Sequence, residues 1–270
     1  MAKQKKKSKT KRKRRKIKAK SKKESQSLDF LSAESIKKKY KIVDVSYSNK
    51  INKGTGASHG EIDYHYQNYS NIMDFLKKVN FSNICLFEIA TIHLDIKDLK
   101  KGIFCLHDLG IFIKNIKMCL KSKDILIPVI LNLLTKEGNH ANILLINKKN
   151  KTIELYEPHG ARTSSSELDG EVGAYRKKVK ALRKFWKNIL SDYKIINSVD
   201  YQKGTAFQMK HDPENHSGFC VTWTILFVHY RLLNPKLQLP ILIKYLAKKI
   251  TTRKLLQYAK YVEDNIKGKK

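Results

Sequence analysis

Three side chains in this sequence have types and spacing that suit chemistry: a thiol at Cys220, an imidazole at His140 and a carboxylate at Glu157. Ser217 and Gly218 precede an apolar run from Phe219 to Val228. The run reads as a helix with Ser217 as its N-cap. Cys220 then falls in the first turn, where unpaired N–H groups and the helix dipole favour a thiolate and lower the thiol pKa. A polar, glycine-containing loop leading into a buried helix holds such a nucleophile rigidly at a cleft. The competing reading of Cys220 is a buried structural cysteine.

His140 and Glu157 flank two short strands, 142–146 and 152–157, joined by the polar turn Asn147-Lys148-Lys149-Asn150-Lys151. The midpoint of 140 and 157 lies between Lys148 and Lys149, inside that turn. A simple hairpin therefore predicts the two residues opposite or nearly opposite each other, with Cβ atoms about 4.5–5.5 Å apart. That suits a carboxylate that orients an imidazole and stabilises its protonated form. The imidazole then takes the proton from a thiol. Taken singly, His140 also reads as a surface histidine at a loop edge, and Glu157 as an exposed strand-end carboxylate. His159 competes as the base, but it has no hairpin partner of the same quality. Cys105, His107 and His93 lack a fourth ligand at convincing spacing, so no metal is expected.

The elements that must hold these residues follow from periodicity and punctuation. Phe219 to Leu233 is apolar almost all round and predicts a buried central helix, stopped by Asn234-Pro235. Residues 125–131 read as a buried strand, 194–200 as a further strand, and 42–47 alternate as a strand does. Helices are expected over 27–40, from Ser70 to about Val79, over 175–190, and as a closing pair over 240–249 and 251–267. Residues 49–60, 161–173 and 207–218 read as loops. The apolar, mixed stretch 84–119 resists partition.

Composition bounds the rest. The chain has 270 residues with 56 Lys+Arg against 24 Asp+Glu, a formal charge of +32. An apolar content of 41 % supports a real core and excludes full disorder. Four cysteines without a C-x-x-C pair exclude a disulfide scaffold and a zinc ribbon, and they read as reduced thiols in an intracellular protein. No apolar run approaches the ~20 residues of a membrane span, and no secretory signal is present. Residues 1–23 hold 15 Lys or Arg and no acid, nearly half the net charge. Residues 1–24 are therefore expected to be a disordered basic tail ahead of one domain over 25–270. The densest run is Lys11, Arg12, Lys13, Arg14, Arg15 and Lys16. It fits non-specific nucleic-acid contact or a nuclear localisation signal; a merely solubilising tail is the other reading.

The order histidine, acid, cysteine, with a strand hairpin and then a Gly-x-Cys helix start, resembles the ubiquitin-like-protein-specific and adenovirus-type cysteine proteases. The segments that carry the likeness are Ile127-Pro128-Val129, 140–146, 153–160 and Gly218-Phe219-Cys220-Val221-Thr222-Trp223. They are similar to a divergent version of these proteases found in large DNA viruses. The resemblance covers about 125–235 and implies an α+β, papain-like cysteine-protease fold with a central helix packed on an antiparallel sheet. It implies Cys220 as nucleophile, His140 as general base and Glu157 as orienting acid, with no metal or organic cofactor. In that family a glutamine before the cysteine donates to the oxyanion hole. Gln208 is the nearest here, with Gln202 further away.

The sequence departs from the family pattern at two positions. The acid is Glu where Asp is commoner, and Ala141 follows the histidine where a tryptophan usually lines the tunnel for a Gly-Gly tail. The expected activity is cleavage of a peptide or isopeptide bond, in a viral polyprotein, a virion protein or a ubiquitin-like conjugate. The expected partners are a protein substrate and nucleic acid, with no membrane. The expected setting is host cytoplasm, viral factory or virion, with the nucleus as an alternative. An acyltransferase on the same fold and a non-catalytic basic nucleic-acid-binding virion protein are the rival classes.

Overall fold

The computed structural model describes residues 28–47, 70–79, 81–87, 91–95, 108–135, 138–158, 180–202, 207 and 219–267. The basic tail and the loops 49–60 and 161–173 lie outside these residues, as does 208–218 of the expected loop 207–218. The described chain is a mixed α/β fold with one five-stranded sheet and seven helices.

The strands are β1 (Thr91–Asp95), β2 (Leu126–Thr135), β3 (Gly138–Asn147), β4 (Thr152–Tyr156) and β5 (Lys194–Asn197), in that spatial order. The central three are antiparallel, as expected, and each edge strand joins in parallel: β1 on β2 and β5 on β4. Parallel neighbours need a crossover, and those crossovers are where the sheet acquires its helices. Pro128 sits inside β2 without breaking it. The Leu126 N–H points to the Asn83 carbonyl, so the absent N–H of Pro128, two residues on, would face the same edge. That edge is unpaired between the Ile84–Leu126 bridge and the start of the β1 pairing at Ile130.

The helices are α1 (Ala33–Tyr40), α2 (Ser70–Val79), α3 (Leu109–Lys121), α4 (180–189), α5 (Phe219–Leu233), α6 (Leu239–Lys249) and α7 (Thr252–Lys267). All but the last residue of α5 is buried, so it is the central helix that its composition predicts. It packs on β3, while α2 and α7 pack on α5 and on each other. The expected helix 27–40 splits into a short 3-10 turn, Leu28–Phe30, and α1, because the Ser32 side chain caps the second piece. The expected strand 194–200 stops at Asn197, whose side chain turns the chain into a 3-10 turn over Ser198–Tyr201.

Two expectations are corrected. Residues 42–47 run without helix or strand structure and join no sheet. The Asn234 side chain takes a strand partner's place there: its Oδ1 accepts from the Val43 N–H and its Nδ2 donates to the Val43 carbonyl, both at 2.8 Å. The second correction concerns the thiols. Cys85 and Cys119 form a disulfide, with Cα atoms 5.6 Å apart across 34 residues. Their spacing carried no sign of it, because the strand-like pairing of Cys85 with Leu126 brings that segment to the end of α3.

An aromatic cluster seals the α2–α5–α7 contact around His229, whose Nδ1 lies 3.1 Å from the Tyr258 hydroxyl and whose ring meets Phe81 edge-on at 4.6 Å. Burial pushes this imidazole down from its ordinary 6.5 to about 4. Between those values the unfolded chain binds a proton that the folded chain refuses. Stability present above pH 6.5 is therefore lost as pH falls towards 4, by about 3 kcal/mol in all. Urea unfolding at pH 7 and pH 4.5 should show the wild type losing roughly 2–3 kcal/mol more than His229→Phe. Equal losses in the two proteins would remove His229 as the cause.

Candidate active site

The site is built where α5 begins and where the β3–β4 hairpin opens. Four contacts fix how α5 lies along β3. The Thr224 hydroxyl donates to the Ala141 carbonyl at 3.4 Å. The Phe227 ring stacks on Tyr156 at 4.2 Å, and Tyr156 pairs with Ile143. Arg231 binds Glu154, which pairs with Leu145. The Asn147 amide donates to the Pro235 carbonyl at 2.9 Å. Each helical turn thus advances two strand residues, as rises of about 5.4 Å per turn and 3.3 Å per strand residue require. One turn back from Thr224 is Cys220, which falls level with Asn139 and His140.

Cys220 is the second residue of α5, 8 % exposed and outside the disulfide. It therefore sits in the first helical turn, as expected; Ser217, its expected cap, lies outside the described residues. His140 is placed by its backbone in β3, paired with Leu133 of β2.

Glu157 follows the last residue of β4 and is 3 % exposed. The ladder pairs Ile143 with Tyr156, so Glu157 comes level with Asn142, two residues along from His140 rather than opposite it. The hairpin turn is centred one residue later than a symmetric reading allows. Its last residue, Lys151, takes a left-handed φ of 49°, and the Asn150 N–H is held by the Asn147 side chain at 3.0 Å. A diagonal of this kind spans about 7–8 Å, within reach of long side chains. The extra methylene of glutamate over aspartate lengthens that reach.

The Glu157 backbone is clamped on both sides. Its N–H donates to the Ser198 hydroxyl at 3.0 Å, and its carbonyl accepts from Gln202 Nε2 at 3.0 Å. Gln202 Nε2 also lies 3.2 Å from the Ser198 hydroxyl. Burial, followed by the charge of Glu157, holds the adjacent Tyr156 phenol well above its ordinary pKa. Gln202, the more distant oxyanion-hole candidate, thus uses its amide nitrogen to support the acid; Gln208 lies outside the described residues.

Thr224, Ser198 and Gln202 are contributors that sequence reasoning missed. Thr224 was detectable, because it lies one turn from Cys220 on the same helix face. Ser198 and Gln202 lie more than 40 residues from Glu157, and only the β4–β5 pairing brings them to it. The nucleic-acid candidates Lys11, Arg12, Lys13, Arg14, Arg15 and Lys16 lie outside the described residues. Among the described residues, no helix is long and apolar enough to cross a membrane.

No family model matches the chain. Over 186 residues, 64 % of its length, it is 27 % identical to L371, named as an ankyrin repeat protein, of Acanthamoeba polyphaga mimivirus; the match spans 23 % of that relative's own length. Among solved structures it aligns with ChlaDub1 of Chlamydia trachomatis at a TM-score of 0.45 and 10 % identity, over 75 % of this chain and 92 % of the other. The Ulp1 protease domain, in complex with the yeast ortholog of SUMO, aligns at 0.37 and 13 % identity, over 74 % and 75 %. The RavZ effector of Legionella pneumophila aligns at 0.37 and 15 % identity, over 74 % and 63 %.

Proposed function

We propose that the chain is a cysteine peptidase that cleaves a peptide or isopeptide bond in a protein substrate through Cys220, His140 and Glu157. The observation that carries this reading is the lockstep of α5 and β3, which brings the first turn of α5 level with His140. In the reaction, His140 takes the Cys220 proton and the thiolate attacks the carbonyl carbon. The oxyanion is held by N–H groups at the start of α5, with Gln208 as a further donor. The imidazolium returns its proton to the leaving amine, and water then hydrolyses the thioester. The buried Glu157 carboxylate orients the imidazole and stabilises its cation. Ubiquitin-like conjugates and viral polyprotein or virion substrates are the candidate classes. The basic run Lys11–Lys16 would concentrate the enzyme on nucleic acid.

The test is the rate of Cys220 alkylation against pH, followed by mass spectrometry on the full chain. A thiol paired with an imidazole stays reactive well below the ordinary thiol pKa of ~8.5, and His140→Ala should cost about 100-fold at pH 6. An ordinary pH profile, unchanged by His140→Ala, would leave a basic nucleic-acid-binding protein as the better account. A His140-dependent thiol that transfers acetyl from acetyl-coenzyme A without hydrolysing amides would make the chain an acyltransferase.

A further inference from the structure

Asn142 is fully buried, and neither its Oδ1 nor its Nδ2 has a hydrogen-bond partner. Burying an amide in that state is costly, and such a group in a folded protein calls for a reason. Packing supplies none. Its neighbours Ala141, Ile143 and Leu144 are apolar and buried, and a leucine would fill the same volume without an orphaned donor.

Its position does supply a reason. Beyond the last β3–β4 pair, Ile143 with Tyr156, the next pair outward is Asn142 with Glu157. Cross-strand neighbours of this kind have Cβ atoms about 4.5–5.5 Å apart. Both residues are buried, so no bulk water competes between them. The Glu157 backbone is already engaged by Ser198 and Gln202, which leaves its carboxylate as the group an amide there can address. His140 is two residues back along the same strand.

We propose that Asn142 is a positioning residue of the site, its Nδ2 hydrogen donating to the Glu157 carboxylate while His140 holds the thiol proton; this rests on the peptidase reading above. The carboxylate has more acceptor capacity than one imidazole N–H can use. A donor at its side stops it from rotating away as the proton moves. Asn142 makes and breaks no covalent bond. It acts through Glu157, and through Glu157 on His140.

The experiment compares wild type, Asn142→Leu and Asn142→Asp as full chains, by urea unfolding and by Cys220 alkylation against pH. Both variants lose the amide donor. Leucine removes an unpaired polar group, so its urea midpoint should rise. Aspartate adds a second buried carboxylate beside the first, so its midpoint should fall. Reactivity at pH 6 should nevertheless fall about tenfold in both, the loss of one hydrogen bond to a charged group. Wild-type reactivity in the leucine variant, with reactivity still dependent on His140, would overturn the role of Asn142 and leave the peptidase reading standing. Reactivity that merely follows stability in the two variants would also overturn it. A wild-type thiol indifferent to His140→Ala would overturn both. If the aspartate variant does not fold, the leucine variant decides alone.

Discussion

Replacing Arg231 by methionine should lower the free energy of unfolding by about 3–5 kcal/mol. Arg231 is fully buried, and its guanidinium grips Glu154 at two points: Nε to Oε2 at 2.8 Å and an NH2 nitrogen to Oε1 at 2.9 Å. The remaining donors are used as well, since Nη1 donates to the Asn234 and Leu237 carbonyls at 3.2 and 2.7 Å. The variant strands a carboxylate in the core and leaves two carbonyls unpaired. Burial already raises the Glu154 pKa, with the Arg231 charge opposing it, so losing that charge raises it further. The folded variant then binds a proton more readily than the unfolded one, and its deficit should shrink as pH falls. A second variant separates the pair's net worth from the cost of breaking it. Arg231→Met combined with Glu154→Leu should regain most of the loss, because apolar residues of similar volume replace buried pairs at little cost. Urea unfolding at pH 7 and pH 5 measures all three proteins. A single variant within 1 kcal/mol of wild type would mean that water reaches Glu154.

Glu157→Gln should slow amide hydrolysis by a factor on the order of 10³. The glutamine keeps the shape and the backbone clamp, but it has no charge with which to stabilise an imidazolium, and its amide can select the wrong tautomer. The backbone bonds to Ser198 and Gln202 predict a graded companion: Gln202→Leu should cost about tenfold by loosening the acid without removing it. Cleavage of any amide substrate that the wild type turns over reads both variants, and alkylation of Cys220 at pH 6 reads them without a substrate. Equal rates for Glu157→Gln and wild type would move the orienting role to another residue. Equal losses in Gln202→Leu and Glu157→Gln would mean that the clamp matters as much as the charge.

The central helix was legible in the sequence because two independent signals agree on it: an unbroken apolar run and the Asn234-Pro235 stop. The hairpin strands were legible for the same kind of reason, polar punctuation between apolar runs. Their register was not, because it depends on the left-handed backbone at Lys151 and on the Asn147 side chain. Residues 84–119 resisted partition because their order comes from distant partners: the 83–85 segment pairs at Leu126, and a disulfide joins it to α3. Residues 42–47 alternate as a strand does, yet one amide side chain satisfied a backbone that a sheet would otherwise have taken. Cys220 and Glu157 were found by residue type and order. The residues that support them were hidden, because support came from chain segments whose proximity no local pattern encodes.

The four contacts that tie α5 to β3 also limit how this chain tolerates insertions and deletions. One residue inserted between Cys220 and Thr224 would swing the thiol about 100° around the helix and shift it ~1.5 Å along the axis, while every contact from Thr224 onward stayed as it is. Such a protein would fold, keep its core and lose its nucleophile. Changes of length are harmless to the site only beyond the two ends of this zipper, before the helix begins or after Pro235.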